Sequence, residues 1–359
     1  MAAIAAAPRA TGSDAIDSAR ERCERELRAL GFEVHQRPFE FSEFPGRFGT
    51  PLVGAAAALA VGFAGFDGIS TGSARPFAIL GATALTLVVA GLWLARRGVL
   101  DAPVLRRRGV NLEAVRGQSS PRIWLCAHLD SKSQPIPTLV RSAGIVLEAI
   151  GFLVMLSLAT AAALGLRVAP LFWTFAAVVT LVGAFPVMLS MVGSRSPGAL
   201  DNASGVTAAI AAAHDLGARP GVGVLITDAE ELGLAGARAW SRSHTNKGTV
   251  LNCDGVDDMG HVAVMYSGRR PTALLQCVQR AAHKMGRAYS PTRMIPGVLI
   301  DSVAFTDAGI ASVTFSKGDW RSLARIHSRR DTLSRLRGTG IAEVAVLMTM
   351  TAIELEGEG

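Results

Sequence analysis

Five short stretches of this 359-residue chain hold the residue types that bind divalent metal ions and move protons. They are Ala127-His128-Leu129-Asp130, Leu200-Asp201-Asn202-Ala203-Ser204-Gly205, Asp228-Ala229-Glu230-Glu231-Leu232-Gly233, Asn252-Cys253-Asp254-Gly255 and His327-Ser328-Arg329-Arg330-Asp331-Thr332. Each falls at the end of a predicted strand or the start of a predicted helix, and open α/β sheets place ligands outside the carboxyl ends of their strands. Singly the motifs are weak, because a lone His-x-Asp or Glu-Glu pair is usually structural or merely solvated. Together they supply two imidazoles and three carboxylates, the set that a pair of Zn²⁺ ions about 3.5–4 Å apart requires, with one carboxylate bridging. The acids left over can do proton work, and the adjacent Glu230 and Glu231 can divide base and ligand duties.

Such a site needs a sheet to hold it, and the composition says the sheet is not the whole molecule. Half of the residues are hydrophobic and 18% are charged, too apolar for an ordinary water-facing domain yet too polar for a purely membrane one. The formal charge of +7 fits either nucleic acid or anionic lipid as a partner. No basic stripe interleaved with aromatics occurs and there are only two tyrosines, so lipid is the expected partner and nucleic acid is not. Cys23, Cys126, Cys253 and Cys277 form no CxxC pair and read as small core residues in a reducing compartment. The N-terminus does not read as a signal peptide.

Along the chain, Ile16, Ala19, Cys23, Leu27 and Leu30 recur at helical spacing before Gly31, and residues 32–41 alternate like a strand. Apolar stretches at 51–66 and 76–95 read as a transmembrane hairpin, the first arm marginal in length for a ~30 Å hydrocarbon core. Residues 110–115 and 123–127 read as strands paired antiparallel through a turn at 117–121. A second hairpin follows at 143–166 and 170–192. Beyond it, a helix at 203–216, a strand at 223–227 and further alternation imply a largely parallel sheet. The expected plan is 1–47, 96–142 and 193–359 forming one α/β domain, with hairpins 48–95 and 143–192 inserted. Trp93 and Trp173 are expected in an interfacial belt, and Glu148, one turn inside its span, is expected to reach back to the interface. Arg96, Arg97, Arg106, Arg107, Arg108, Arg141 and Arg195 outnumber Arg75 and Arg167 on the opposite loops, which predicts a cytoplasmic soluble domain and termini.

The order and type of the five motifs resemble the co-catalytic two-zinc aminopeptidases, relatives of aminopeptidase Y, glutamate carboxypeptidase II, the glutaminyl cyclases and the inert protease-like domain of the transferrin receptor. The resemblance covers residues 14–41 and 110 to the C-terminus, and it implies an αβα sandwich with a mixed, largely parallel sheet. It also implies two Zn²⁺, one held by His128, Asp201 and Asp254 and the other by Asp201, Glu231 and His327, with Asp201 as the bridge. Glu230 would be general base and acid, and Asp130 would orient the His128 imidazole. Asp331 could orient His327 or serve as a cap or salt-bridge partner. The chain departs from the family in two ways. Val298 stands where several members place an oxyanion-steadying tyrosine, and Ile300 replaces a serine before Asp301-Ser302-Val303-Ala304-Phe305. Tyr266, Ser267 and Ser302 are the replacement donors, unranked. The implied activity is membrane-embedded amide hydrolysis by a zinc-bridged hydroxide, on peptide or acyl-amino-acid substrates. An inert receptor or scaffold, or a glutaminyl-cyclase-like aminoacyltransferase, is the alternative.

Overall fold

The computed structural model describes every residue except 72–73, 118–119, 245–247, 288, 295–297 and 358–359. Parts of the expected 117–121 turn and of the first inter-helix loop, Ser73 included, therefore lie outside the described residues. The chain forms two compact units. The first comprises Met1–Glu43, Val99–Ser133 and Ser194–Gly359, and the second comprises Phe44–Gly98 and Gln134–Gly193.

The first unit is built on an eight-stranded sheet in the order β1-β2-β4-β3-β5-β8-β6-β7. These strands are β1 (Glu33–Ser42), β2 (Arg106–Val115), β3 (Ile123–His128), β4 (Val222–Thr227), β5 (Thr249–Val256), β6 (His261–Tyr266), β7 (Pro291–Arg293) and β8 (Ser312–Gly318). The central run β4-β3-β5-β8 is parallel, and antiparallel pairs flank it, β1 with β2, β2 with β4 and β6 with β8. β3 and β4 are buried at every position, as continuous apolar strands covered on both faces should be. The helix Asp14–Ala29 starts where the Ser13 hydroxyl accepts from the Ile16 amide, and it ends before Gly31 at φ +81°. Its buried stripe of Ile16, Ala19, Cys23 and Leu27 is the one its spacing predicts.

One expectation fails here. β3 does not pair with β2; it lies between β4 and β5, and β4 separates it from β2. Two consecutive strands joined by a short turn imitate a hairpin, but a parallel central sheet takes β3 because both of its faces are apolar. The polarity survives the error. Ser42 at the end of β1 pairs with Arg106 at the start of β2, and β2 runs opposite to β4 and β3. Val99 lies against Gly233, just past β4, and the Arg195 amide donates to the Ser133 hydroxyl at 2.9 Å. All four points where the chain leaves or re-enters this unit thus lie at the carboxyl edge of the parallel strands.

The second unit contains four helices long and apolar enough to cross a membrane: Phe44–Ser70, Arg75–Asp101, Thr138–Ala163 and Pro170–Met188. The first span is 27 residues long and runs through Pro51, so the arm that looked marginal is ample. Phe63, Phe66, Leu85, Val89, Leu153 and Phe175 are among the large apolar side chains exposed on these helices, which water would penalise. Small residues set the packing inside. A Cβ on Gly183 would sit 2.3 Å from the Glu148 amide nitrogen and one on Gly151 would sit 2.4 Å from the Thr180 hydroxyl, so the two C-terminal helices touch backbone to backbone.

Two expectations about single residues change. Trp173 is fully buried against Gly68 of the first helix rather than turned outward, whereas Trp93 is exposed. Glu148 is 6% exposed, with Oε1 lacking a hydrogen-bond partner. Its helix begins at Thr138, so it stands nearly three turns from the helix start. The shift arises because residues 138–142 are polar enough to look like loop yet continue the helix.

Candidate metal centre

The carboxyl edge of the parallel strands gathers every candidate ligand. His128 closes β3, Glu230 and Glu231 form a single 3₁₀ turn after β4, and Asp254 lies near the end of β5. Asp254 is aimed by a bulge: between Cys253 and Val256 the register against β8 shifts, with Gly255 at φ +68°. Asp201 precedes the helix Ser204–Asp215, in a non-helical loop whose Asp201–Asn202 peptide is cis. His327, at φ +59°, follows the end of β8.

Asp201 stands between the two histidines. Its Oδ1 is 3.2 Å from His128 Nε2 and its Oδ2 is 3.0 Å from His327 Nε2. His128 Nε2 is 3.5 Å from Asp254 Oδ1, and His327 Nε2 is 3.4 Å from Glu231 Oε1. Two triads result, His128–Asp201–Asp254 and Asp201–Glu231–His327, each offering ligand atoms within 4.8 Å of one another. Glu230 is buried with its carboxylate 4.0 Å from His128 Nε2, near both triads but a member of neither.

The surrounding contacts explain why these atoms stay in place. His128 Nδ1 lies 3.1 Å from the Asp130 carbonyl and 3.5 Å from its carboxylate, which assigns the proton to Nδ1 and turns the Nε2 lone pair toward Asp201 and Asp254. The Asp130 carboxylate also accepts from the Glu230 and Glu231 amides, both at 3.0 Å. One acid therefore fixes a ligand histidine and the turn carrying the paired glutamates. Asp331 does not orient His327. Its carboxylate accepts from the Leu200 amide at 2.6 Å and the Asp201 amide at 3.1 Å, holding the loop of the central aspartate.

Three contributors were not singled out from the sequence. The Asn202 amide donates to the Cys253 carbonyl and accepts from the Gly205 and Gly255 amides, tying the Asp201 loop to the Asp254 bulge. A Cβ on Gly205 would lie 2.1 Å from the Asn202 side-chain oxygen, so only glycine fits there. Arg9 is fully buried and donates to the carbonyls of Ile4, Leu129, Pro197 and Gly198, clamping the N-terminal segment across the loops that carry His128 and Asp201. Lys132 places its ammonium on Glu231 Oε2. No local pattern marks these residues, because each makes its joining contact across more than fifty positions of sequence.

Buried acids dominate the electrostatics. Burial opposes the His128 imidazolium, but Glu230 and Asp254 carry its pKa well above the usual imidazole range. Burial, with Glu231 and Asp254 adding repulsion, holds the Glu230 carboxyl well above the ordinary value. Asp301, buried behind His128 with Thr227 donating to one oxygen, is pushed up to about 7 by burial and by Asp130 and Asp254. Burial works against the Lys132 ammonium too, and Glu231 and Glu230 more than offset it.

So much negative charge out of water calls for a cation, and Glu231 Oε1, buried with no hydrogen-bond partner, is an acceptor left for one. Imidazole nitrogens and carboxylate oxygens are the donors Zn²⁺ takes. The residues present therefore fit zinc in either triad.

The comparisons agree. Residues 184–352, which include every candidate ligand except His128, match the model of Peptidase family M28. Among solved structures the chain is similar to an aminopeptidase from Aneurinibacillus sp. strain AM-1, at 13% identity and TM-score 0.56, covering 98% of this chain and 91% of that one. It is similar to the same degree to a zinc aminopeptidase from Bacillus subtilis, at 14% identity and TM-score 0.56, covering 99% and 94%. The resemblance to the co-catalytic zinc aminopeptidases holds. The chain is also similar to a glutaminyl cyclase from Porphyromonas gingivalis, at 14% identity and TM-score 0.51, covering 99% of this chain and 95% of that one. At these identities the structural likeness is one of fold. No curated protein matches the chain by sequence.

Proposed function

We propose that the chain is a membrane-embedded, zinc-dependent peptidase of the aminopeptidase type, acting on apolar or membrane-associated peptides or acyl-amino acids. The observation that carries this reading is Asp201, with one carboxylate oxygen toward each of two histidines that are themselves paired with further acids. An inert scaffold has no need to keep that arrangement.

Zinc bound at these triads would supply Lewis acidity and lower the pKa of a water. The protein's own groups do the rest. Glu230, close to both triads yet bound to neither, takes a proton from the attacking water. As the C–O bond forms and the C–N bond breaks, it passes that proton to the departing amine. Asp130, Asp331, Asn202 and Arg9 keep the geometry fixed while charge moves, so little reorganisation is spent at the moment of reaction.

The similarity to a glutaminyl cyclase keeps one second reading, in which the same residues close an N-terminal glutamine on itself. Product analysis separates the two. Release of a free amino acid from aminoacyl anilides supports the peptidase, and pyroglutamyl product without hydrolysis supports the cyclase.

The four exit points at the carboxyl edge, together with the apolar helices that follow them, support a substrate that is itself apolar or lipid-anchored. In liposomes, a peptide carrying a long acyl tail is expected to turn over at least about tenfold faster than its untailed match, because the surface concentrates it. In detergent the difference should shrink. Equal rates in liposomes would reduce the helices to an anchor.

The distribution of arginine supports a cytoplasmic first unit with cytoplasmic termini. All four native cysteines are buried, so single reporters read cleanly. A cysteine replacing exposed Leu166 should react with an impermeant reagent in intact cells, and one replacing Lys317 should not. The opposite pattern would reverse the topology.

A further inference from the structure

Amide hydrolysis places negative charge on the carbonyl oxygen, and a hydrogen-bond donor beside the metal triads would stabilise it. The sequence offers Tyr266, Ser267 and Ser302, and the structure removes all three. β6 runs antiparallel to β8, pairing His261 with Gly318 and Met265 with Thr314, so it starts at the carboxyl edge and delivers Tyr266 and Ser267 to the opposite one. Ser302 is wholly buried, and its hydroxyl accepts from Thr314. The Val298 side chain carries no donor.

Lys132 remains. Among the described residues it is the lysine or arginine whose head group pairs with a candidate ligand, Glu231, through Oε2. Its position follows from β3, four residues past His128, in the segment that also carries Asp130. The side chain is 16% exposed, so it is neither sealed in the core nor loose in solvent. Arg9, the other cation near these acids, is fully buried with its guanidinium spent on backbone carbonyls. The Glu231 carboxylate is divided, with Oε1 toward His327 and without a hydrogen-bond partner, and Oε2 toward Lys132. Once that carboxylate is committed to a metal cation, its charge is shared and its hold on the ammonium weakens. A flexible four-carbon stem bearing three donors then needs a new acceptor nearby.

Resting on the peptidase reading, we propose that Lys132 is a catalytic residue that donates a hydrogen bond to the substrate's carbonyl oxygen as it becomes an oxyanion, in the role for which Val298 has no group. The water oxygen bonds to the carbonyl carbon while Glu230 receives its proton, the carbonyl oxygen takes the displaced electron pair, and the Lys132 ammonium keeps all three of its protons. When the pair returns, the C–N bond breaks and the amine leaves with the proton from Glu230.

The test uses the full-length protein in detergent with the aminoacyl anilide it cleaves fastest, a phosphinic dipeptide as the tetrahedral mimic, and the product amino acid as the ground-state ligand. Lys132→Met is expected to lose about 10²–10³ in kcat, the range for one oxyanion donor, with KM and zinc content unchanged. Affinity for the phosphinic dipeptide should fall by a similar factor, and affinity for the product amino acid should hold. Lys132→Arg should recover part of the rate. Full turnover in Lys132→Met overturns the proposal. So does loss of zinc in that variant with turnover per bound zinc preserved, which would make Lys132 a positioning residue for Glu231. A wild-type protein that hydrolyses nothing defeats the peptidase reading instead, a result visible before any variant is made.

Discussion

Glu230→Gln is expected to lower turnover by at least about 10²–10⁴-fold while leaving zinc content and melting temperature at wild-type values. The reasoning rests on position. Glu230 lies 4.0 Å from His128 Nε2 and outside both triads, so glutamine removes the proton-carrying oxygen without removing a ligand. The substitution keeps the shape of the side chain, and the Glu230 amide that Asp130 holds is untouched. Turnover and metal analysis on one preparation decide it. Retained activity would move the base elsewhere, and Asp301, pushed up to about 7 behind His128, would be the next acid to examine.

Asp201→Ala should act on the metal itself. Asp201 supplies an oxygen to both triads, so alanine leaves each with two candidate ligands and removes the charge that separates the histidines. Loss of zinc from both positions and loss of all turnover are expected, together with a lower melting temperature in the presence of added zinc, because a ligand that binds only the folded state stabilises it by mass action. By contrast, Asp254→Ala should spare the triad of Asp201, Glu231 and His327. If Asp201→Ala bound as much zinc as wild type, the shared-carboxylate arrangement would be wrong.

Most of the candidate site was visible in the sequence because strand ends are legible. Buried parallel strands are short apolar runs, and His128, Glu230, Glu231 and Asp254 stand where those runs stop. What encloses them was not. Asn202, Arg9 and Lys132 act through contacts across the fold, and a single sequence carries no trace of which distant carbonyl or carboxylate a side chain meets. Asp331 shows the same limit from the other side: its neighbour His327 suggested a partner, and the fold gave it the Leu200 and Asp201 amides instead.

The helical inserts were legible as apolar length, and their details were not. Residues 44–50 and 138–142 are polar enough to read as loops, yet backbone hydrogen bonding carries both helices through them. That extension puts Glu148 nearly three turns from the start of its helix, with its backbone packed against Gly183. Trp173, similarly, is an interfacial residue by composition and a packing residue by the space that Gly68 leaves. The pairing of β3 went wrong for a related reason: chain proximity suggested β2 as its neighbour, whereas the choice among strands is made by which faces must be buried.

The claim that zinc held by this cluster performs amide hydrolysis meets its most direct test in the metal dependence of the purified protein. Zinc is counted, removed with a chelator and restored, and aminoacyl anilide turnover is measured at each stage in detergent. The expected result is about two zinc ions per chain, turnover lost on their removal and regained in proportion to the zinc returned. A protein that binds no zinc, or that cleaves the substrate equally well after zinc is stripped, would contradict it.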